Sequence, residues 1–561
     1  YWVCGGQQES GSACVRSRGD WGETTQRDWH TVGAQEYGYV VPDPLHPGVF
    51  FGGKVQKFTE HTGQAQEVSP IAVQTNRMRM VRTEPLAFDP FDKQRLYFGG
   101  NFVFATENGG QSWRVISPDL TRAHPGVPAV LGSFESDDPQ KGAHRGVVYA
   151  IAPSRVRKGT IWAGTDDGLV WITRNGGAQW SNVTPPALTP WSKVAQIDAS
   201  GFDDDTAFVA VNRFRLNDLR PYVYVTRNGG KSWELTVNGL PNQPVNAVRQ
   251  DPVEPRLLYA ATENGVYVSF NAGTDWQPLQ LDLPRTSVRD LIIHDNDVVV
   301  ATHGRGFWIL DDVEPLRELA ANPVTLSLSK GTYLFPPERT YRVRRSLNTD
   351  TPLPPEEPRG ENPPDGAIID YALASPAQHV TIAIYDRDGR EVRRYASDDR
   401  LPAPIPHLDK PTYWEAPFVR PATGAGMHRF IWDLREPAPR SFAQDLPISA
   451  VPRGTPRVPE GVLVVPGHYT VRIIADGHTA ERQLDVVMDP RVAISQQSLD
   501  EQYRLSAQLA SLMNRSYARG DHSLNEEAAG LLDTVDGADA PPTRQATEAV
   551  RALAGANSTR P

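Results

Sequence analysis

The sequence predicts an all-β fold: a β-propeller of about seven blades, followed by a β-sandwich and a small C-terminal helical segment. Three observations carry this. A turn of pattern Thr/Ser-x-Asn-x-Gly-x-x-Trp occurs at Thr106–Trp113, Thr173–Trp180, Thr226–Trp233 and Ser269–Trp276. Each copy follows paired strand signals, such as "TIWAGT" with "LVWIT" and "LLYAAT" with "GVYVS". Gly and Pro, at 46 and 49 of 561 residues, suit many short strands joined by turns.

In each turn Asn can bond its own backbone, and Gly takes positive φ without steric cost. The tryptophan that opens the next strand can cover the turn and wedge between neighbouring sheets, its indole N–H finding a backbone acceptor. Upstream of most pairs lies a further strand, as in "LAFDP", "VVYAIAPS" and "AVRQDP". Four strands per unit, with two half-buried strands meeting at the turn, make a propeller blade. Two units lack the full turn, "VFFGGKVQKFTEHTGQAQEV" before the first copy and "VRDLIIHDNDVVVATHGRGFWILDD" after the last. A partial unit at Tyr1 to Val32 completes a propeller expected over residues 1–320. Because "YWVCGG" reads as the middle of a strand, residues upstream of Tyr1 are expected and the first blade is read as truncated.

The repeated turn resembles the Asp-box, or bacterial neuraminidase repeat, with Asn in the Asp position in all four copies. The segments "IWAGTDDGLVWITRNGG", "RPYVYVTRNGGKSW" and "VVVATHGRGFWILDD" are similar to bacterial glycosyl-hydrolase-like, or sortilin-type, propeller proteins. That group is related to the two-propeller xyloglucanase-type glycoside hydrolases. The resemblance implies the fold and an extracytoplasmic location, periplasmic or secreted. It leaves function open, because such repeats serve sialidases, glucanases, sorting receptors and photosystem assembly factors alike.

Beyond residue 320 the repeat stops, and "TPLPPEEPRGENPPDG" reads as a linker or surface loop. The strands "IYDRDGREVRRY", "GMHRFIWDLR" and "PGHYTVRIIADG" resemble an Ig-like sandwich of the kind found in secreted bacterial proteins, expected over residues 321–494. Asp386-x-Asp388-Gly389 fits a hairpin turn better than a calcium loop, since the remaining ligand spacing is absent. A helical tail is expected over residues 495–561, opened by a capping box at Ser498–Glu501, with a second short helix at Thr543 to Leu553.

The net charge of −10 argues against nucleic acid or anionic membrane as partner. No apolar run approaches the roughly 18 residues of a transmembrane segment. Two readings of Cys4 and Cys14 stand, a short disulfide loop and two buried thiols; neither makes a redox or metal site. No cofactor is implied, and the oligomeric state is not legible.

The sequence holds no His-Glu-x-x-His, Gly-x-Ser-x-Gly, phosphate loop or Cys-x-x-Cys, so any catalysis falls to carboxylates. Candidate acids are Asp166 and Asp167 in "GTDDGL" and Asp138 in "FESDDPQ". Backbone bonding in a turn and a solvated acidic loop are the commoner uses of such residues. Binding candidates are Arg215 and Asp218, in the long hairpin "RFRLNDLRPYVYV", and His303, Arg305 and Trp308 in "ATHGRGFWILDD". Their bland alternatives are a salt-bridged loop, and a Gly304/Gly306 turn in which Trp308 seals the ring and Arg305 pairs with an acid.

The first functional expectation is a noncatalytic recognition propeller that binds a glycan or peptide. The resemblance supplies two alternatives: a xyloglucanase-type glycoside hydrolase using paired carboxylates, and a protein sorting or assembly factor.

Overall fold

The four tryptophan turns set the geometry of the N-terminal part. In the turn at Thr173, the hydroxyl donates to Asn175 Oδ1 (3.0 Å) and accepts the N–H of Gly177 (3.1 Å), while Asn175 Oδ1 accepts the N–H of Gln179 (2.9 Å). Gly176 and Gly177 sit at φ +68° and +98°, where a side chain is disfavoured. The indole N–H of Trp180 then reaches the Ile116 carbonyl of the preceding blade at 2.8 Å. The same bond runs from Trp113 to Val68 (2.7 Å), Trp233 to Val183 (2.7 Å) and Trp276 to Thr236 (3.3 Å). Each tryptophan therefore staples its own blade to the one before.

The computed structural model describes residues 1–71, 78–128, 130, 144–322, 331–344, 356–448 and 451–558. The chain divides into two units, Tyr1–Ser17 with Trp29–Ala321, and Arg18–Asp28 with Asn322–Pro561.

The first unit is a seven-bladed propeller. Its seven antiparallel sheets follow one another along the chain, blade I covering residues 2–16 with 29–32 and blades II to VII covering 40–67, 86–115, 148–182, 193–235, 245–278 and 288–310. Blades I and VII have three strands in these sheets and the others four. Within a blade the chain runs outward from the innermost strand, and inner strands of successive blades lie against each other. The second strands of blades III to VI, such as Ile161–Thr165 and Leu258–Thr262, are buried throughout. They are covered by a neighbouring blade on both sides, so they read as apolar runs. The fourth strands are two exposed residues at four blades, too short to template further pairing.

Blades I and VII close the ring. Val3, Val15 and Trp29 pack on Val299, Phe307 and Ile309, with the Trp29 and Phe307 rings stacked at 5.9 Å. Trp308, expected to seal this seam, lies on the other side of its strand and is 37% exposed. Cys4 and Cys14, directly opposite on paired strands of blade I, form a disulfide. Helix α1 (Glu314–Ala321) packs Ala320 onto the core of blades VI and VII, beside Val313 just before it.

The second unit contains a two-sheet β-sandwich. Thr332–Leu334, Ala367–Leu373 and Gly426–Trp432 form one sheet; Thr340–Arg342, His478–Met488, Gly467–Ala475, Val380–Asp386 and Glu391–Ala396 form the other, in that order. Ile369, Tyr371 and Trp432 from the first meet Ile382, Val471 and Leu484 from the second in one core. Asp386 closes the hairpin by accepting the N–H groups of Asp388 (3.0 Å) and Arg390 (2.9 Å), with Gly389 at φ +79°. Three helices follow, α2 (Gln496–Arg519), α3 (His522–Asp536) and α4 (Arg544–Ser558). The cap of α2 is Ser495, whose Oγ accepts the N–H of Ser498. The helix thus begins three residues before the capping box expected at Ser498. Helix α3, capped by Asp521, falls inside the expected helical tail, where only the helices to either side of it are named from the sequence.

Candidate functional site

Blade topology sorts the loops between two faces. Because the strands alternate in direction, connections between strands two and three emerge at the same end as the starts of the inner strands. We call this the front face; the tryptophan turns, between strands three and four, lie on the opposite one. Asp166, Asp167, Arg215, Asp218, His303 and Arg305 all fall in front-face connections. Asp138 and its acidic neighbours lie outside the described residues.

Asp166 and Asp167 sit between Ile161–Thr165 and Val170–Thr173 and are 3% and 0% exposed. Asp167 is spent on the fold. Its carboxylate accepts the Thr165 hydroxyl at 2.5 Å and the N–H of Arg122 at 2.8 Å. Burial pushes its carboxyl above the ordinary range, with those hydrogen bonds opposing. Asp166 accepts the Val147 N–H (2.8 Å) through one oxygen and pairs with Arg215 (2.9 Å) through the other. Two residues singled out separately in the sequence, 49 positions apart, are therefore partners.

Asp218 serves its own hairpin. It accepts the Tyr222 hydroxyl at 2.7 Å and pairs with Arg220 (2.8 Å) and Arg213 (3.1 Å). The Arg220 hydrogen bond, first among these, holds its carboxyl well below the usual carboxylate range. His303 is exposed, with Nδ1 3.2 Å from the Arg289 guanidinium, which also pairs with Glu263 (3.2 Å). Gly304 and Gly306 form the tight turn at φ +93° and +67°, and Trp308 donates to the Arg305 carbonyl at 3.0 Å. The acid expected to pair with Arg305 is not present among the described residues.

The group around which these residues gather is Lys193, the first residue of the inner strand Lys193–Ala199 of blade V. Its ammonium lies 4.4 Å from the Tyr149 ring centroid and 5.5 Å from that of Phe214. It makes no hydrogen bond or ion pair among the described residues. Burial pushes its pKa down to about 8; Arg215 and Arg289 push the same way, against Asp166 and Glu263. Arg215 lies 5.6 Å over Trp191 and 5.8 Å over Phe214, which is 49% exposed. Glu84, 1% exposed, is raised well above the carboxylate range by burial, and its Oε2 has no hydrogen-bond partner. Deeper along the inner strands, Arg249 joins Asp290 (3.4 Å) and Asp198 (3.6 Å).

Lys193, Tyr149, Trp191, Phe214, Glu84, Glu263 and Arg289 escaped the sequence reading. The available signal was positional. "WSKVAQ" places an aromatic and a lysine at the mouth of an inner strand, where side chains from successive blades converge. Among the described residues no group of three or more His, Cys, Asp or Glu is arranged to hold a metal, and no helix is long and apolar enough to cross a membrane.

No family model matches the chain. Over 168 residues it is 27% identical to an oligoxyloglucan-reducing end-specific xyloglucanase of Emericella nidulans, a match covering 30% of this chain and 18% of that protein. The chain thus spans less than a fifth of the length of that relative. Among solved structures, the GH74 xyloglucanase from Xanthomonas campestris is 16% identical, with 51% of this chain and 56% of that one covered and a TM-score of 0.23. The YCF48 protein of Cyanidioschyzon merolae is also 16% identical, with 42% and 70% covered and a TM-score of 0.27. The sequence match is a distant relationship to a xyloglucanase, in keeping with a glycoside-hydrolase-like propeller.

Proposed function

We propose that this chain is an extracytoplasmic glycan-recognition propeller, with its ligand held on the front face around Lys193, Arg215, Trp191 and Phe214. The single observation that carries the reading is the convergence there of charged donors with partly exposed aromatic rings. Sugar rings present C–H faces that lie on aromatic surfaces and hydroxyls that bond charged side chains, so this pairing suits a saccharide. Distant similarity to a xyloglucanase supports a saccharide over a peptide. The Cys4–Cys14 disulfide supports an oxidising compartment. The sandwich and the helices act as spacer or docking modules in this reading.

A second reading, glycoside hydrolysis, is favoured by the same similarity. It needs two carboxyl groups on either side of one bond, one protonated and one ionised. Asp166 and Asp167 do not form such a pair, because Asp167 is fully buried and consumed by Thr165 and Arg122. Asp166 would have to release Arg215 to act. Asp138, the third candidate acid, lies outside the described residues, so the recognition reading rests on the Lys193 cluster and not on the absence of a second acid.

The test is binding and hydrolysis of a saccharide panel, including xyloglucan oligosaccharides and sialylated glycans, by the chain and by Asp166→Ala and Phe214→Ala variants. The account expects at least one saccharide to bind uncleaved, weakened about tenfold in Phe214→Ala. Failure of every saccharide to bind would contradict it. Cleavage abolished in a folded Asp166→Ala variant would establish the hydrolase instead.

A further inference from the structure

The charges facing Lys193 do not balance. Blade IV contributes Asp166 and the Tyr149 ring, blade V contributes Arg215 and Phe214, blade VI contributes Glu263, and blade VII contributes Arg289. Asp166 already has Arg215 at 2.9 Å and Glu263 has Arg289 at 3.2 Å, while Glu84, nearby, is pushed toward its neutral form by burial. Among the described residues Lys193 is the cation left over, half-buried, in a chain whose net charge is −10. An ammonium taken partly out of water without a counter-charge is destabilising, so its retention at an open face points to a ligand that supplies the charge.

Trp191 is held beside it in an unusual backbone conformation, φ +67°. Its N–H donates to the Asp167 carbonyl and its indole to the Gly126 carbonyl, both at 3.1 Å. Glycine or asparagine would make the same turn with less strain, so the ring itself is what the position retains. The half-exposed Phe214 is a second flat surface against the same cations.

Resting on the glycan reading above, we infer that the front face binds a carboxylate-bearing sugar, of the uronic-acid class, whose carboxylate is received by Lys193 and whose ring lies on Trp191 and Phe214. The carboxylate completes the charge balance that the described residues leave open. A neutral sugar can use the aromatic surfaces and leaves the lysine uncompensated.

The experiment is calorimetric titration of the full chain with a glucuronyl oligosaccharide and with its carboxyl-reduced counterpart, which differ only at the carboxylate. The acid form is expected to bind about tenfold or more tightly, as a charge-assisted contact gives. This preference should fall as salt rises, collapse in Lys193→Met, and survive in Lys193→Arg, which keeps the charge. It should also fade as pH rises past about 8, where the lysine loses its proton. Thermal unfolding of each variant shows whether it is folded. Equal binding of the two sugars, or an acid preference unchanged in Lys193→Met, would overturn the carboxylate assignment while leaving glycan recognition intact. Binding of neither, together with failure of the neutral panel, would overturn both.

Discussion

Lys193 stands 4.4 Å from the Tyr149 ring at the mouth of the inner strands and makes no ion pair among the described residues. Its pKa is about 8, against an ordinary 10.5, because burial disfavours the charged form. Between these values the unfolded chain binds the proton that the folded chain has released, so this group's contribution to stability rises with pH across the window. Below pH 8 the folded state carries the whole penalty. Lys193→Met is expected to melt higher than the parent at pH 7, with the difference shrinking from pH 8 to 10.5 and vanishing above it. Thermal midpoints of both proteins across that range check the sign.

The indole bonds between blades give a second prediction. Trp180→Phe keeps most of the apolar contact and loses the 2.8 Å bond to Ile116, for an expected cost of about 1 kcal/mol. Trp276 is 4% exposed, so Trp276→Phe leaves the Thr236 carbonyl buried without its donor and is expected to cost more, about 1–3 kcal/mol. Urea unfolding midpoints measure both, and the reverse ranking would contradict the staple account.

Arg317 on α1 is 4% exposed and meets Asp251, 0% exposed, at 3.0 Å. It also donates to Asn296 and Glu314, each at 2.6 Å, and to the Asp295 carbonyl at 2.8 Å, tying the helix to blades VI and VII. Arg317→Met strands a buried carboxylate and is expected to cost about 3–5 kcal/mol. Adding Asp251→Leu should recover part of that loss in the same unfolding measurement.

The propeller was legible because its defining contact is local and repeated. Thr173, Asn175 and Gly177 make the turn within five residues, and Trp180 follows at fixed spacing whatever the rest of the chain does. Ring closure was harder, because Trp29 and Phe307 belong to opposite ends of the propeller sequence and only topology brings them together. At the helical tail, Ser495 and Ser498 both satisfy cap chemistry, and sequence spacing favoured the wrong one. Helix α3 was not resolved as a separate helix within the expected tail because its buried residues Leu524, Ala528, Leu532 and Val535 are interspersed with glycine and acidic residues that blur the apolar stripe.

The front-face cluster was legible only in fragments. Asp166 and Arg215 were each visible as unusual loop residues, but their pairing depends on two adjacent blades. Lys193 carries no motif at all; what distinguishes it is the set of charges that four blades turn toward one point.

The most direct test of the front face as the ligand site is hydrogen–deuterium exchange of the whole chain with and without a bound oligosaccharide. The account predicts slowed exchange in residues 189–193 and 213–218, with the back-face turns at 108–113 and 175–180 unchanged. Protection confined to the back-face turns, or to the second unit, would contradict it.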